Sequence, residues 1–266
     1  MTRAEPTTEQ PHTATPPGLP PGACVVPVAG RPLALLPDRC AWLPDRRWLL
    51  VADVHLGKAH SFRRLGVPVP AGTTAATLDR LARLTAALRP ARLVILGDLL
   101  HGPAARQPEL LDALAQWRRG CAGTEVTLVR GNHDARAGDP PSGCGIETVE
   151  GPLRDGDLWL CHDPAEAPAG DAAGSGPQAI AGHVHPQYRL RASGDSLRLP
   201  CYWARERVTV LPAFGEFTGG FTLRPEDGGT VYVTDGRAVH PVPRVPSGRG
   251  AGAGVRGQRG QRGQRG

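Results

Sequence analysis

The chain has 266 residues, 40% of them hydrophobic, enough to bury the core of one large domain. No apolar run approaches the roughly 18–20 residues of a membrane-crossing helix and the first 22 residues lack a signal peptide's apolar stretch; the six cysteines contain no CxxC pair, so a cytoplasmic protein with free thiols and no membrane partner is expected. The net charge of +6 looks like a nucleic-acid signature until it is divided, because Arg244, Arg249, Arg256, Arg259, Arg262 and Arg265 account for all of it and residues 1–243 sum to zero.

Residues 1–22, rich in Pro and Thr, and 244–266, a Gly, Arg and Gln tract, cannot bury enough apolar surface to offset ordering entropy and are expected to be disordered. Residues 23–243 remain as one compact unit. Within it, Trp48 to Ala52 predicts a buried strand that stops at Asp53. Thr73 or Thr74 can cap a following helix whose Leu78, Leu81, Leu84 and Leu88 share one face and which ends before Pro90. Leu93 to Leu96 predicts the next strand, stopping at Gly97-Asp98. Pro108 suits the first turn of a second helix with Leu110, Leu111, Leu114 and Trp117 as its buried stripe. Val126 to Val129 then runs into Arg130-Gly131-Asn132-His133-Asp134.

Beyond this point the helical signal fades. Leu158 to Leu160 leads into Cys161-His162, and Gln178 to Ala181 leads into Gly182-His183-Val184-His185. Residues 188–192, 197–203, 207–214, 221–224 and 230–234 are short β-type runs between Gly, Pro or Asp. The first half therefore alternates strand and helix and the second is mostly strand, with polar residues at the strand ends where open α/β sheets place their sites.

Five strand ends deliver, in order, Asp53-Val54-His55, Gly97-Asp98, Gly131-Asn132-His133-Asp134, His162 and Gly182-His183-Val184-His185. Each piece alone is an ordinary turn or a core histidine. Together they gather five of the nine histidines behind predicted strands. Carboxylate oxygen with neutral imidazole suits Mn²⁺, Fe and Zn²⁺, and the absence of cysteine argues against a structural zinc site. A cation pair needs a bridge with two oxygens, for which Asp98 is the natural choice.

The set DVH, GD, GNHD, a single H and GHVH, spanning residues 53–185, resembles the calcineurin-like metallophosphoesterases. The strings DVHLGKAHSFRRLGVPVP at 53–70, GDLLHG at 97–102, GHVHPQYRL at 182–190 and LPAFGEFTGG at 211–220 narrow this to a likeness with bacterial ligase-associated DNA damage response endonucleases. The resemblance implies an α/β fold of two face-to-face mixed β-sheets flanked by helices, a four-layer sandwich. It implies that Asp53, His55 and His185 hold one divalent metal, that Asn132, His162 and His183 hold another, and that Asp98 bridges. Mn²⁺ is the first choice of ion, with Fe, Zn²⁺ or Mg²⁺ as alternatives. His133 would face the phosphate as a catalytic residue, with Asp134 orienting its ring.

The implied reaction is phosphodiester hydrolysis with DNA as substrate, in functional association with a DNA ligase, a helicase and an exonuclease, by a monomer or homodimer. A phosphatase, or a phosphodiesterase acting on a small nucleotide, is open on the same metal core. So is a scaffold without chemistry, although an intact ligand set speaks against it. Lys58, Arg63 and Arg64 follow the first motif and are candidate substrate contacts or a solvated loop. His101 is a candidate hydrogen-bonding neighbour of the site. Phe214, Phe217 and Phe221 offer either core packing or a surface on which a base can stack. The arginine tail suits either sequence-independent phosphate contact or no binding role.

Overall fold

A computed structural model describes residues 19–243 apart from 71, 170–175, 193 and 217. The tail at 244–266 and residues 1–18 of the N-terminal segment, both expected to be disordered, lie outside the described residues. The first sheet opens with an antiparallel meander that no predicted element anticipated: β1 (Cys24–Val28), β2 (Arg31–Leu36) and β3 (Cys40–Leu43), leading to β4 (Trp48–Ala52). There follow helices α1 (Lys58–Arg64) and α2 (Thr73–Leu88), strand β5 (Arg92–Leu96), helix α3 (Pro108–Gly120), strand β6 (Glu125–Val129), the short helix α4 (Asn132–Ala137) and strand β7 (Glu147–Val149). These seven strands lie side by side in chain order, with β4, β5, β6 and β7 parallel.

The second sheet is built from β8 (Leu153–Asp155), β9 (Leu158–Leu160), β10 (Gln178–Ala181), β11 (Pro186–Ala192), β12 (Asp195–Ala204), β13 (Val208–Val210), β14 (Phe221–Leu223), β15 (Thr230–Thr234) and β16 (Val239–Pro241). Its order is β14-β11-β12-β13-β10-β9-β8, with β15 on β12 and β16 on β15, and β9, β10 and β13 are mutually parallel. The predicted run at 207–214 is a strand only over β13.

Alternation along each strand divides the core. Leu50, Ala52, Val94 and Leu96 point at the second sheet and meet Leu158, Leu160, Ile180, Tyr202 and Leu211. Leu49, Val51, Leu93 and Ile95 point the other way, against Leu78, Leu81 and Leu84 of α2 and Leu114 and Trp117 of α3. Burial on both faces is why β4 and β5 read as continuous apolar runs. Two mixed sheets thus pack face to face, with α2 and α3 on the outside of the first. The start of α2 differs from expectation in one respect: Gly72, left-handed at φ 81, takes the cap position, and Thr73 is already helical. All six cysteines are free. Among the described residues no helix is long and apolar enough to cross a membrane.

Candidate metal centre

The motif residues converge where β4, β5, β6, β9 and β10 end. Of nine non-glycine residues with positive φ among the described residues, five are Asp53, Asp98, His55, His183 and His185. Such conformations cost of order 1–3 kcal/mol each and gather where side chains must be aimed. Glycine precedes two of the turns for lack of room: a Cβ on Gly97, itself at φ +76, would lie 2.0 Å from Nδ1 of His162, and one on Gly131 would lie 2.3 Å from Oδ1 of Asp98.

The groups form two facing sets. In the first, Nε2 of His55 and Nε2 of His185 are 3.2 Å apart, and Oδ1 of Asp53 is 3.3 Å from Nε2 of His185. In the second, Nε2 of His162 lies 3.0 Å from Oδ1 of Asn132 and 3.0 Å from Nδ1 of His183. Asp98 stands between them, with Oδ2 at 3.7 Å from Nε2 of His55 and Oδ1 at 3.6 Å from Nε2 of His162.

The far side of several rings fixes which nitrogen faces inward. Nδ1 of His162 donates to the Leu96 carbonyl at 3.1 Å and Nδ1 of His185 to the Thr218 carbonyl at 3.2 Å, so both turn Nε2 inward. Burial, with Lys58 and neighbouring imidazoles adding to it, holds His55 far below the usual histidine range and hence neutral. Oδ2 of Asp53 accepts the His183 backbone N–H at 2.8 Å, but the buried Oδ1 has no hydrogen-bond partner. With Nδ1 occupied in this way, Nε2 of His185 and Nε2 of His162 face the acceptor oxygens Oδ1 of Asp53 and Oδ1 of Asn132 at 3.3 and 3.0 Å, close to the roughly 3.0–3.4 Å that separates neighbouring ligands on a cation with about 2.1 Å bonds. Buried acceptors in this arrangement are unfavourable without a cation. The donor set fits divalent metal, and Asp53, His55 and His185, and Asp53, Asp98 and His162, form two of its compact groups.

His133 is the second residue of α4 and carries its ring at the open side of the cluster. Its Nδ1 donates to the His101 carbonyl at 2.7 Å, and Nε2 lies 4.0 Å from Oδ2 of Asp98. The expectation that Asp134 orients this ring is corrected. Asp134 is fully buried, and its two oxygens accept the backbone N–H groups of Leu100 and Gly131, each at 3.0 Å. Burial pushes its carboxyl up to about 6, against the pull of those two bonds. It lies five residues past the end of β6 and faces back into the β5 turn, so it staples two motif loops together. The acceptor for His133 is a backbone carbonyl, which residue types cannot reveal. The His101 ring stacks on His133 with centroids 4.6 Å apart and approaches Nδ1 of His55 at 3.3 Å, a neighbour of the centre as expected. Burial, followed by Lys58, lowers its pKa to about 4.

Of the expected substrate contacts, Lys58 reaches the centre: Nζ donates to the Thr218 carbonyl at 3.1 Å, sharing that acceptor with His185. Burial lowers its pKa, while Asp53 and Asp98 raise it. Arg63 and Arg64 are exposed on the last turn of α1. Phe214 is core, fully buried with the Arg80 guanidinium 4.1 Å over its ring. Phe221 is exposed at the start of β14, its N–H donating to the His185 carbonyl at 3.1 Å, and Phe217 lies outside the described residues. Thr218 was missed as a positioning residue, although it falls in the 211–220 string. A groove of about 850 Å³ between α2 and α3 opens near Arg47, Pro90 and Glu125, at the other end of the strands, and carries none of the motif residues.

A family model described as calcineurin-like phosphoesterase matches residues 46–191. Among solved structures, the chain is similar to a nuclease MPE from Pseudomonas putida at 41% identity and a TM-score of 0.71, over 83% of this chain and 100% of that one. A phosphoesterase from E. coli, Yfce, aligns over 74% of this chain and 98% of that one at 14% identity and a TM-score of 0.37, too low to bear on function. No curated protein matches.

Proposed function

The chain belongs to the calcineurin-like phosphoesterases and is a metal-dependent phosphoesterase; from that premise we propose that it is a binuclear phosphodiesterase that cleaves DNA in a damage response. The observation that carries the binuclear reading is Asp98, one oxygen of which faces each set. The nuclease neighbour at 41% identity supports a polynucleotide substrate. In this reading Asp53, His55 and His185 hold one ion and Asn132, His162 and His183 the other, with Mn²⁺ the first candidate.

The chemistry that a divalent pair supplies when bound is activation of a water and a charge clamp on phosphate oxygens. The chain's own residues do the rest. His133 presents Nε2 on the open side, and the carbonyl of His101 on Nδ1 fixes the ring in the orientation from which Nε2 can give a proton to the leaving oxygen. Lys58 adds positive charge beside the carboxylates. Association with a ligase, helicase and exonuclease, a homodimeric state and a cytoplasmic location belong to the same proposal; the free cysteines support the last.

The test is the purified chain with Mn²⁺ on an aryl phosphodiester, an aryl phosphomonoester and supercoiled DNA in parallel. Cleavage of DNA and diester with little monoester hydrolysis is expected. Preference for the monoester would replace the nuclease by a phosphatase.

A further inference from the structure

β11 begins one residue after His185 and, with β12, forms a hairpin that outruns its sheet. β12 pairs with β13 only at Trp203 and Ala204 and with β15 only from Cys201 to Ala204, so residues 195–200 have β11 alone beside them. β13 is parallel to β10, whose end carries Gly182 and His183, and β12 is antiparallel to β13. The free part of the hairpin therefore runs outward past the strand ends that hold the metal centre, by roughly 17 Å at about 3.3 Å per residue.

The side chains of this overhang divide by alternation. The Tyr202 hydroxyl sits between the carbonyls of Leu36 and Cys40, so even-numbered residues of β12 face the first sheet. Pro200, Arg198 and Ser196 share that face, and their cross-strand partners are Gln187, Arg189 and Arg191. Leu190, Leu197 and the tip residue Asp195 fall on the opposite side. The face turned toward the cleft thus carries three exposed arginines, Arg189, Arg191 and Arg198.

Arg189 and Arg198 are directly opposed across the hairpin, a placement of like charges that destabilises strand pairing. Among the described residues none of the three has a carboxylate at ion-pair distance, and the one side-chain bond is from Nη1 of Arg189 to Oγ of Ser196 at 3.3 Å. Residues 1–243 are neutral overall, so this cluster is a local concentration of charge, not a sample of a basic surface. Arg189 and Arg191 are spaced by two residues, about 6.6 Å along the strand, on the order of the step between phosphates in an extended nucleic-acid strand.

We infer that Arg189, Arg191 and Arg198 form a track for the sugar-phosphate backbone of the substrate strand on one side of the scissile bond. The inference rests on the nuclease reading and adds to it where the strand runs. Guanidinium forks suit phosphate oxygens, and the track starts a few residues from His185, so a strand bound there enters the centre without crossing the core. Charged residues on a free hairpin edge also block pairing with other chains, a role that acidic residues fill equally well.

The experiment compares the full chain with two triple variants, Arg189→Glu/Arg191→Glu/Arg198→Glu and Arg189→Lys/Arg191→Lys/Arg198→Lys, in Mn²⁺. The substrates are a single-stranded DNA oligonucleotide and an aryl phosphodiester. The Glu variant is expected to raise KM for DNA by about tenfold or more and to flatten the salt dependence of kcat/KM by up to roughly 0.7 per lost contact. Its rate on the small diester should be unchanged, and the Lys variant should recover most of the DNA activity. An unchanged DNA KM and salt slope in the Glu variant, with the parent chain cutting DNA, would overturn the track alone. Equal loss on both substrates would also overturn it, assigning the arginines to the fold. A parent chain that hydrolyses the diester but neither cuts nor binds DNA would sink the nuclease reading, and the track with it.

Discussion

The backbone N–H of His133 donates to Oδ1 of Asp98 at 2.9 Å. One hydrogen bond thus ties the start of α4 to the turn after β5, and it fixes the carboxylate plane so that each oxygen is directed to one ligand set. Replacing one oxygen by an amide NH₂ leaves one set without its carboxylate acceptor and removes the negative charge that both sets share.

Asp98→Asn is therefore expected to cost both ions, by more than the roughly 10–100-fold in affinity that follows loss of an outer hydrogen-bonding partner. Asn132→Ala should weaken mainly the ion held with His162 and His183. Elemental analysis after gel filtration reads both, and two metals per chain in Asp98→Asn would overturn the ligand assignment.

His133→Ala should retain its metals, because Nε2 stands 4.0 Å from the nearest Asp98 oxygen and the ring turns toward the open side. A nitrophenolate leaves without a proton, whereas a sugar alkoxide needs one. DNA cleavage should fall by about 10²–10⁴ and hydrolysis of the activated diester much less. Equal losses on the two substrates would assign the ring to charge stabilisation instead of proton transfer.

Gly97→Ala tests whether the turn is shaped by crowding. The added methyl would lie 2.0 Å from Nδ1 of His162 at a φ of +76, so the backbone strain of about 1–3 kcal/mol adds to a displaced ligand. A fall in Tm of several degrees together with reduced metal content is expected. A variant with unchanged Tm and metal content would show that the β5 turn can relax.

Asp155 joins the sheets at neutral pH: it accepts from Nη1 of Arg31 at 2.6 Å and from Nη2 of Arg46 at 2.8 Å. Burial pushes its carboxyl up, but the bonds from Arg46 and Arg31 outweigh it and hold it below the ordinary value. A lowered folded pKa means stability that is present above the unfolded value of about 3.9 and is lost as pH falls through the folded one. Asp155→Asn should cost about 1 kcal/mol at pH 7. The Tm difference from the parent chain should shrink toward zero as pH drops below about 4, and a pH-independent difference would contradict the ion-pair account.

By itself the sequence determined the parts whose signals are local. Apolar runs that stop at Asp53, Asp98 and Gly131, the helical stripes of α2 and α3, and the ordered set of histidines and carboxylates all follow from short-range periodicity and residue chemistry. They sufficed to place the candidate centre and the family. The meander from Cys24 to Leu43 was not legible, because Pro27, Arg31, Pro32 and Arg39 interrupt its apolar runs and its strands are fixed by pairing with one another and, through β3 alone, with β4. Tertiary structure alone decided that His133 leans on the His101 carbonyl while Asp134 turns to Leu100 and Gly131, and that Arg189 stands opposite Arg198. The reason is the same in each case: these partners are set by strand register and by backbone atoms that every residue carries, so residue type does not encode them until the chain has folded.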